Sequence, residues 1–281
     1  MEITNEGSEG DFGRIKMVYE IKDMAAVTDI FDGWNETLIW SCIQGVMGHI
    51  YANHINHPTS AMAILGDFVF YAGVPSKEII GYKPDWCKQD FIIAVPRDEQ
   101  WSAMIREYYG NSAKQVVRYA TKKEPDAFDK NKLIRISEGL QAEYTIKLID
   151  EQMYNYCRSN EWCRDLVSQY ETYKIYKELG LGVVILKDNI PVSGASSYSS
   201  YMGGIEIEID TRKEYRRRGL ASVCGAMLIL ECIKRGLYPS WEAQNKWSLA
   251  LSQKLGYHFD YEYTAFEING YNNEPQNKRR D

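Results

Sequence analysis

The sequence predicts an α/β protein in two lobes, and three observations carry that reading. Short runs of β-branched and aromatic residues alternate with helix-period segments along most of the 281 residues. With 44% hydrophobic and 13% aromatic residues there is enough apolar surface for real cores, and the length allows two of them. The polar stretch KKEPDAFDKNK, Lys122 to Lys132, divides the pattern near its middle. The expected organisation is a flexible terminus over 1–16, an N-terminal α/β lobe over 17–125, a second lobe over 126–270 and a flexible tail over 271–281.

Each element has a local reason. A helix is expected around Asn35 to Tyr51, where Ile39, Ile43, Val46 and Ile50 form one stripe. AMAILGDFVFYAG reads as a hairpin turning at Gly66-Asp67; a strand (Phe91 to Val95), a helix (Trp101 to Tyr109) and a strand (Gln115 to Thr121) follow. The second lobe opens with a strand over Tyr144 to Leu148 and helices between Glu151 and Leu179. Strands over Gly182 to Leu186 and Pro191 to Tyr198 flank the turn Lys187-Asp188-Asn189, and Gly203-Gly204 precedes the strand IEIEID, Ile205 to Asp210. From Leu220 to Ile233 the apolar residues cover nearly every face, which suits a helix packed on most sides and stopped by Lys234, Arg235 and Gly236. A short strand (YPSWEAQ), a helix (NKWSLALSQKLG) and a strand over Tyr257 to Ile268 complete the lobe. AILGDFVFYAG and VILKDNIPVSG share Ile, Leu, Asp and Gly in register, a weak echo of one half in the other.

Charge narrows the partners. With 33 basic against 39 acidic residues the net charge is -6, which argues against nucleic acid or an anionic membrane surface. No stretch approaches the roughly 18 uninterrupted apolar residues of a membrane span, and the acidic, glycine-rich start is unlike a signal peptide, so a cytoplasmic location is expected. The six cysteines fall mostly inside apolar helical patterns and read as reduced, buried thiols. His49, His54 and His57 put no regular pair on one helical face, so no metal is expected.

The stretch YRRRGLAS, Tyr215 to Ser222, concentrates positive charge at the mouth of the buried helix. Backbone N–H groups of a first helical turn lack helical partners, and Gly219 and Ala221 have too little side chain to block an approaching anion. Such an end attracts phosphate. It is neither the P-loop nor the three-glycine dinucleotide fingerprint.

IEIDTRKEYRRRGLA, followed by Asn-x-x-Ser-x-x-Leu-x-x-Lys-Leu-Gly-Tyr from Asn245 to Tyr257, resembles the GNAT superfamily of acetyl-CoA-dependent N-acetyltransferases over about residues 130 to 268. The whole chain, with its extra N-terminal half and the run SGASSYSSYMGGIEIEIDT, looks most like the subgroup that includes the zwittermicin A resistance acetyltransferase. The resemblance implies a mixed, mostly antiparallel sheet flanked by helices in the second lobe, with the first lobe a degenerate relative of the same fold. It implies acetyl-CoA as cosubstrate, with the pyrophosphate wrapped by Arg216, Arg217, Arg218, Gly219, Leu220, Ala221 and Ser222. Main-chain groups of Ile209, Asp210 and Thr211 would meet the pantetheine arm, with Asn245 lining the same cleft. The implied reaction is direct attack by the primary amine of a small polar molecule, an antibiotic-like aminopolyol among them, in a monomer or homodimer. A protein or peptide acceptor, and a CoA-binding module without turnover, are the alternatives.

Strand alternation puts Glu206, Glu208 and Asp210 on one face and Ile205, Ile207 and Ile209 on the other. In the central strand of the resembled fold an acidic stripe is costly unless it lines a wet groove. An arriving ammonium must lose a proton before it attacks, and a carboxylate can attract it and accept that proton. Glu208 is the first candidate base, Glu206 the second and Glu242 the third; salt bridges are the competing structural role. Many relatives carry a tyrosine acid seven residues after the motif asparagine, where this chain has Ser252. Ser252 acting through a water, Tyr257 reaching in, and no side-chain acid at all are the choices. The last is favoured, because a thiol of pKa about 8.5 can leave as thiolate.

Overall fold

The structure, a computed structural model, describes residues 18–271. The expected flexible ends lie outside these residues, except that Tyr271 is buried and its N–H donates to the Asp90 carbonyl. The first half contains β1 (Tyr19–Glu20), α1 (Thr28–Phe31), α2 (Thr37–Ile43), β2 (His49–Ala52), β3 (Ser60–Leu65), β4 (Phe68–Gly73), α3 (Lys77–Ile80), β5 (Phe91–Pro96), α4 (Glu99–Tyr109) and β6 (Ala113–Thr121). The second contains α5 (Lys130–Glu138), β7 (Tyr144–Leu148), α6 (Glu151–Ser159), α7 (Tyr173–Leu179), β8 (Gly182–Lys187), β9 (Ile190–Tyr201) and β10 (Gly204–Thr211). It ends with α8 (Leu220–Lys234), β11 (Tyr238–Ser240), β12 (Glu242–Ala243), α9 (Lys246–Leu255) and β13 (Phe259–Asn269).

These strands form two sheets, ordered β1-β2-β3-β4-β5-β13-β6-β12 and β11-β10-β9-β8-β7. Every neighbouring pair is antiparallel except β4–β5 and β10–β11. Each half therefore runs through the same course: an antiparallel hairpin, a helical crossover to a parallel strand, a helix and a last strand. The last strands are exchanged. β13 lies between β5 and β6 of the first sheet, and β6 pairs in turn with β12 of the second half. Hydrophobic alternation tells which face of a strand is buried but not which strand lies beside it, so this crossing has no local sequence signal.

Both sheets are covered on both faces. Along β8, Val183 and Ile185 join the core with α8, while Val184 and Leu186 join the core of α6 and α7. Along β3, Ala61, Ala63 and Leu65 face one core, Met62 and Ile64 another. The serine-rich strand β9 survives burial because its hydroxyls, apart from that of Ser199, are bonded: Tyr170 donates to Ser197 at 2.7 Å, and the Tyr176 and Ser196 hydroxyls lie 2.8 Å apart.

Two expectations are corrected. The helix expected over Asn35 to Tyr51 ends at Ile43, and the chain turns through Gly45 and Gly48, both at positive φ, into strand β2. A Cβ on Gly48 would lie 2.7 Å from the Ile64 carbonyl oxygen, so only glycine permits that approach to β3. Ile39 and Ile50 share one core, one from a helix and one from a strand. The echo between the hairpins is also out of step: β3–β4 directly precedes its lobe's crossover helix, whereas β8–β9 comes one strand earlier.

Candidate functional site

The site begins where two parallel strands part. β10 and β11 pair only over Gly204–Glu206 and Tyr238–Ser240. At Trp241 the chain leaves that sheet, and Glu242 and Ala243 pair with Ala120 and Tyr119 of β6. Glu208, Ile209, Asp210 and Thr211 therefore stay paired with β9 on one side and face a gap on the side that β11 has left. A cleft of about 610 Å³ opens there. Asn245 and Ser248 of the α9 end line one side, and Asp67, Phe68, Ile93 and Arg118 of the first lobe line the other.

The loop entering α8 leaves the first turn of the helix open. Arg217 and Gly219 both have positive φ, 62° and 80°, so the chain bends sharply as it enters the helix. No side chain caps α8, and a Cβ placed on Gly219 would meet nothing within 4 Å. Arg216 donates to the Thr211 carbonyl, and Arg218 donates to the Tyr144 hydroxyl and Glu214 carbonyl, so both brace the loop. Arg217 has no side-chain partner among the described residues and is exposed. A groove of about 240 Å³ beside this turn is lined by Arg135, Arg218, Ser222 and Lys254, with Lys254 donating to the Ser222 hydroxyl at 3.2 Å. These features suit a phosphate-bearing ligand.

The acidic stripe divides into a structural and an open part. Glu206 is 5% exposed; one carboxylate oxygen accepts from the Thr37 hydroxyl at 2.5 Å, the other from the Glu242 N–H at 2.7 Å. Glu208 and Asp210 face the cleft. Burial, with Asp210 and Asp165 adding repulsion, pushes the Glu208 carboxyl up to about 8. Burial and Asp165 push Asp210 up to about 7. Glu242 pairs through one oxygen with Lys123 at 3.3 Å, while its other oxygen is buried without a partner. Burial, then the neighbouring Glu36, holds its carboxyl well above the usual range.

Behind the cleft lies an inner chamber of about 50 Å³, lined by Glu36, Phe70 and Tyr263 of one sheet's surroundings and by Glu206, Glu208 and Glu242. Arg118, 9% exposed, borders both spaces; its Nε donates to the Tyr263 hydroxyl at 3.3 Å and its guanidinium lies over the Phe68 ring.

Of the residues singled out in the sequence, Glu208, Ile209, Asp210, Thr211, Arg216, Ala221, Glu242 and Asn245 line the main cleft. Arg218, Gly219, Leu220 and Ser222 line the adjoining groove. Asn245 also caps α9, accepting from the Trp247 and Ser248 N–H groups. Ser252 is not with them: it is fully buried in α9 and donates to the Leu249 carbonyl. Tyr257 is likewise buried and donates to the Pro239 carbonyl. Glu36, Asp67, Arg118, Asp165 and Tyr198 were not foreseen. Arg118 inside the apolar strand QVVRYAT was the one visible hint, since a buried arginine requires a polar neighbour.

Comparison with known proteins shows the family and the fold. The sequence model of the family described as GNAT acetyltransferase matches residues 28–266. A GCN5-related N-acetyltransferase-like protein from Streptococcus suis 89/1591, solved as a crystal structure, is 45% identical, with a TM-score of 0.83 over 88% of this chain and 98% of that one. The uncharacterized N-acetyltransferase YdfB of Bacillus subtilis is 25% identical over 87% of this chain and 95% of its own. A tandem GNAT protein from the clavulanic acid biosynthesis pathway is only 8% identical but has a TM-score of 0.51 over 90% of this chain and 99% of that one, a likeness of fold. With its two repeated halves, parted strands and uncapped helix, the chain belongs to the GNAT acetyltransferase family.

Proposed function

We propose that the protein moves the acetyl group of acetyl-CoA to a primary amine of a small polar molecule by direct attack in a ternary complex. The observation that carries this reading is Glu208: an acidic side chain with no ion-pair partner among the described residues, its carboxyl at about 8, facing the gap between the parted strands. A carboxylate with that value is a stronger proton acceptor toward an ammonium than an ordinary one, and it becomes available as pH rises toward about 8. The α8 cradle and Arg217 bind the pyrophosphate, and the open edge of β10 from Ile209 to Thr211 offers main-chain bonds to the pantetheine arm. Glu206 holds the strands apart, and Glu242 lines the cleft while bonded to Lys123. Ser252 has no part, and the sulfur departs as thiolate.

The cleft has walls from both lobes, which favours a small acceptor over a peptide groove. An antibiotic-like aminopolyol meets these requirements and is the acceptor suggested by the subgroup resemblance. Purified protein offered acetyl-CoA with a panel of aminopolyols, aminoglycosides, diamines and peptides, followed by released thiol, tests the proposal. Turnover only with peptides would favour the protein acetyltransferase reading. Tight acetyl-CoA binding without turnover of any amine would leave a cofactor-binding module.

A further inference from the structure

The inner chamber carries charge that the transfer reaction does not use. Glu36 is 1% exposed, and no side chain among the described residues bonds to its carboxylate; one of its oxygens is fully buried without a partner. The unpartnered oxygen of Glu242 is buried in the same region, on a side chain 6% exposed. A buried carboxylate with no donor is costly, so a ligand donor or a shared proton is needed there.

Charge bookkeeping points the same way. Glu36, Glu206, Glu208 and Glu242 are set against Arg118 and Lys123, and four carboxylates facing two cations leave two negative charges without a match when all are ionised. Arg118 is stacked on Phe68 and bonded to Tyr263, and Lys123 is held by Glu242, so neither reaches out to meet Glu36 at bonding distance. Burial pushes the Glu36 carboxyl up to about 7, against the pull of Lys123 and Arg118 and with Glu206 adding to the rise. Without a ligand, protons supply that match, as the raised carboxyls show; a ligand cation would supply it with the carboxylates ionised. The chamber adjoins Glu208, which borders both spaces, and its volume admits an ammonium with the end of its chain but no ring.

We infer that the acceptor is a short-chain diamine whose second ammonium sits in the inner chamber against Glu36 while its reacting amine lies at Glu208. This rests on the proposed acetyl transfer and adds a requirement for a second positive charge. Glu36 comes from the first lobe, just ahead of α2, so the extra lobe supplies the specificity and the second lobe the reaction. Asp67 and Asp165 line the outer cleft and draw the dication inward.

The experiment compares 1,4-diaminobutane with 1-aminobutane on the full chain. The diamine is expected to exceed the monoamine in kcat/KM by tens of fold or more. Glu36→Gln is expected to lower that ratio at least tenfold through the KM of the diamine, and Glu36→Asp, which keeps the charge, to retain most of it. Calorimetric titration of each amine into the protein with CoA should give the same order of affinities. Equal kcat/KM and equal binding for the two amines in the native protein would overturn the inference, as would an unchanged ratio in Glu36→Gln. If that variant does not fold, the native comparison still decides. If neither amine is acetylated but the diamine alone binds in a Glu36-dependent way, the transfer proposal fails while the charge requirement stands.

Discussion

The Glu206 carboxylate accepts the main-chain N–H of Glu242 at 2.7 Å, just where the chain leaves β11 and parts from β10. In an unbroken sheet that N–H would belong to a strand ladder; here a side chain takes it, so the strands separate without an orphaned donor. The other carboxylate oxygen accepts from Thr37 of the first lobe, which ties the opening to the lobe interface.

Glu206→Ala should therefore act on stability before chemistry. It leaves the Glu242 N–H and the Thr37 hydroxyl without their acceptor, at a cost of about 3 kcal/mol together. Glu206→Gln keeps one oxygen acceptor and an amide to meet the hydroxyl, so it should melt much closer to the native protein. Melting curves of the two variants check this. Equal melting of Glu206→Ala and the native protein would show that the wedge is dispensable.

Glu208→Gln should do the reverse. The fold should hold, acetyl-CoA affinity should change little, and kcat/KM should fall by roughly 10²-fold. In the native enzyme kcat/KM should rise with pH to a midpoint near the carboxyl's value of about 8, and that rise should be missing in the variant. An equal loss of cofactor affinity would assign Glu208 to structure and turn attention to Glu242.

Glu208 was readable from the sequence because period-two alternation in IEIEID is a local property, and the arginine loop was readable because glycine, charge and a buried helix follow one another directly. Glu36 was not readable: its importance comes from facing residues of β10 and β12, and nothing near it in sequence marks that meeting. The helix over 35–51 was overread for a related reason. Ile39, Ile43, Val46 and Ile50 satisfy a helical stripe, but Gly45 and Gly48 at positive φ end it, and the partner that rewards the turn is β3. Ser252 could be aligned with a catalytic position yet not oriented, and its hydroxyl turns back into its own helix.

Gly219→Val tests the anion cradle. The native φ of 80° is strained for a β-branched residue, at a local cost of about 2 kcal/mol that a protein of this size should tolerate. The added side chain would project into space that is open in the protein and proposed for the pyrophosphate. Acetyl-CoA binding should be lost by calorimetry while the folded signal remains. Near-native affinity would move the pyrophosphate elsewhere.

Stability itself should report the acidic cleft. The carboxyls of Glu208, Asp210 and Asp67 are raised to about 8, about 7 and about 6, in each case first by burial and then by neighbouring acids. A carboxyl raised on folding binds its proton more tightly in the folded state than in the unfolded chain. Its contribution is fully present below the unfolded value near 4 and is lost as pH rises through the folded value. Without ligands, the melting temperature should fall by several degrees between about pH 5 and pH 8.5, the fall continuing through the range where Glu208 ionises. Glu208→Gln removes the highest of these three titrations, so its curve should fall less steeply than the native one above about pH 7. In the exposed Lys187–Glu143 pair the carboxyl is held down and the ammonium up, so that pair titrates on either side of this window. A native melting temperature that is flat or rising over the same range would mean that the cleft carboxyls are as well solvated in the folded protein as in the unfolded chain, and the basis for Glu208 as a base poised near neutral pH would go with it.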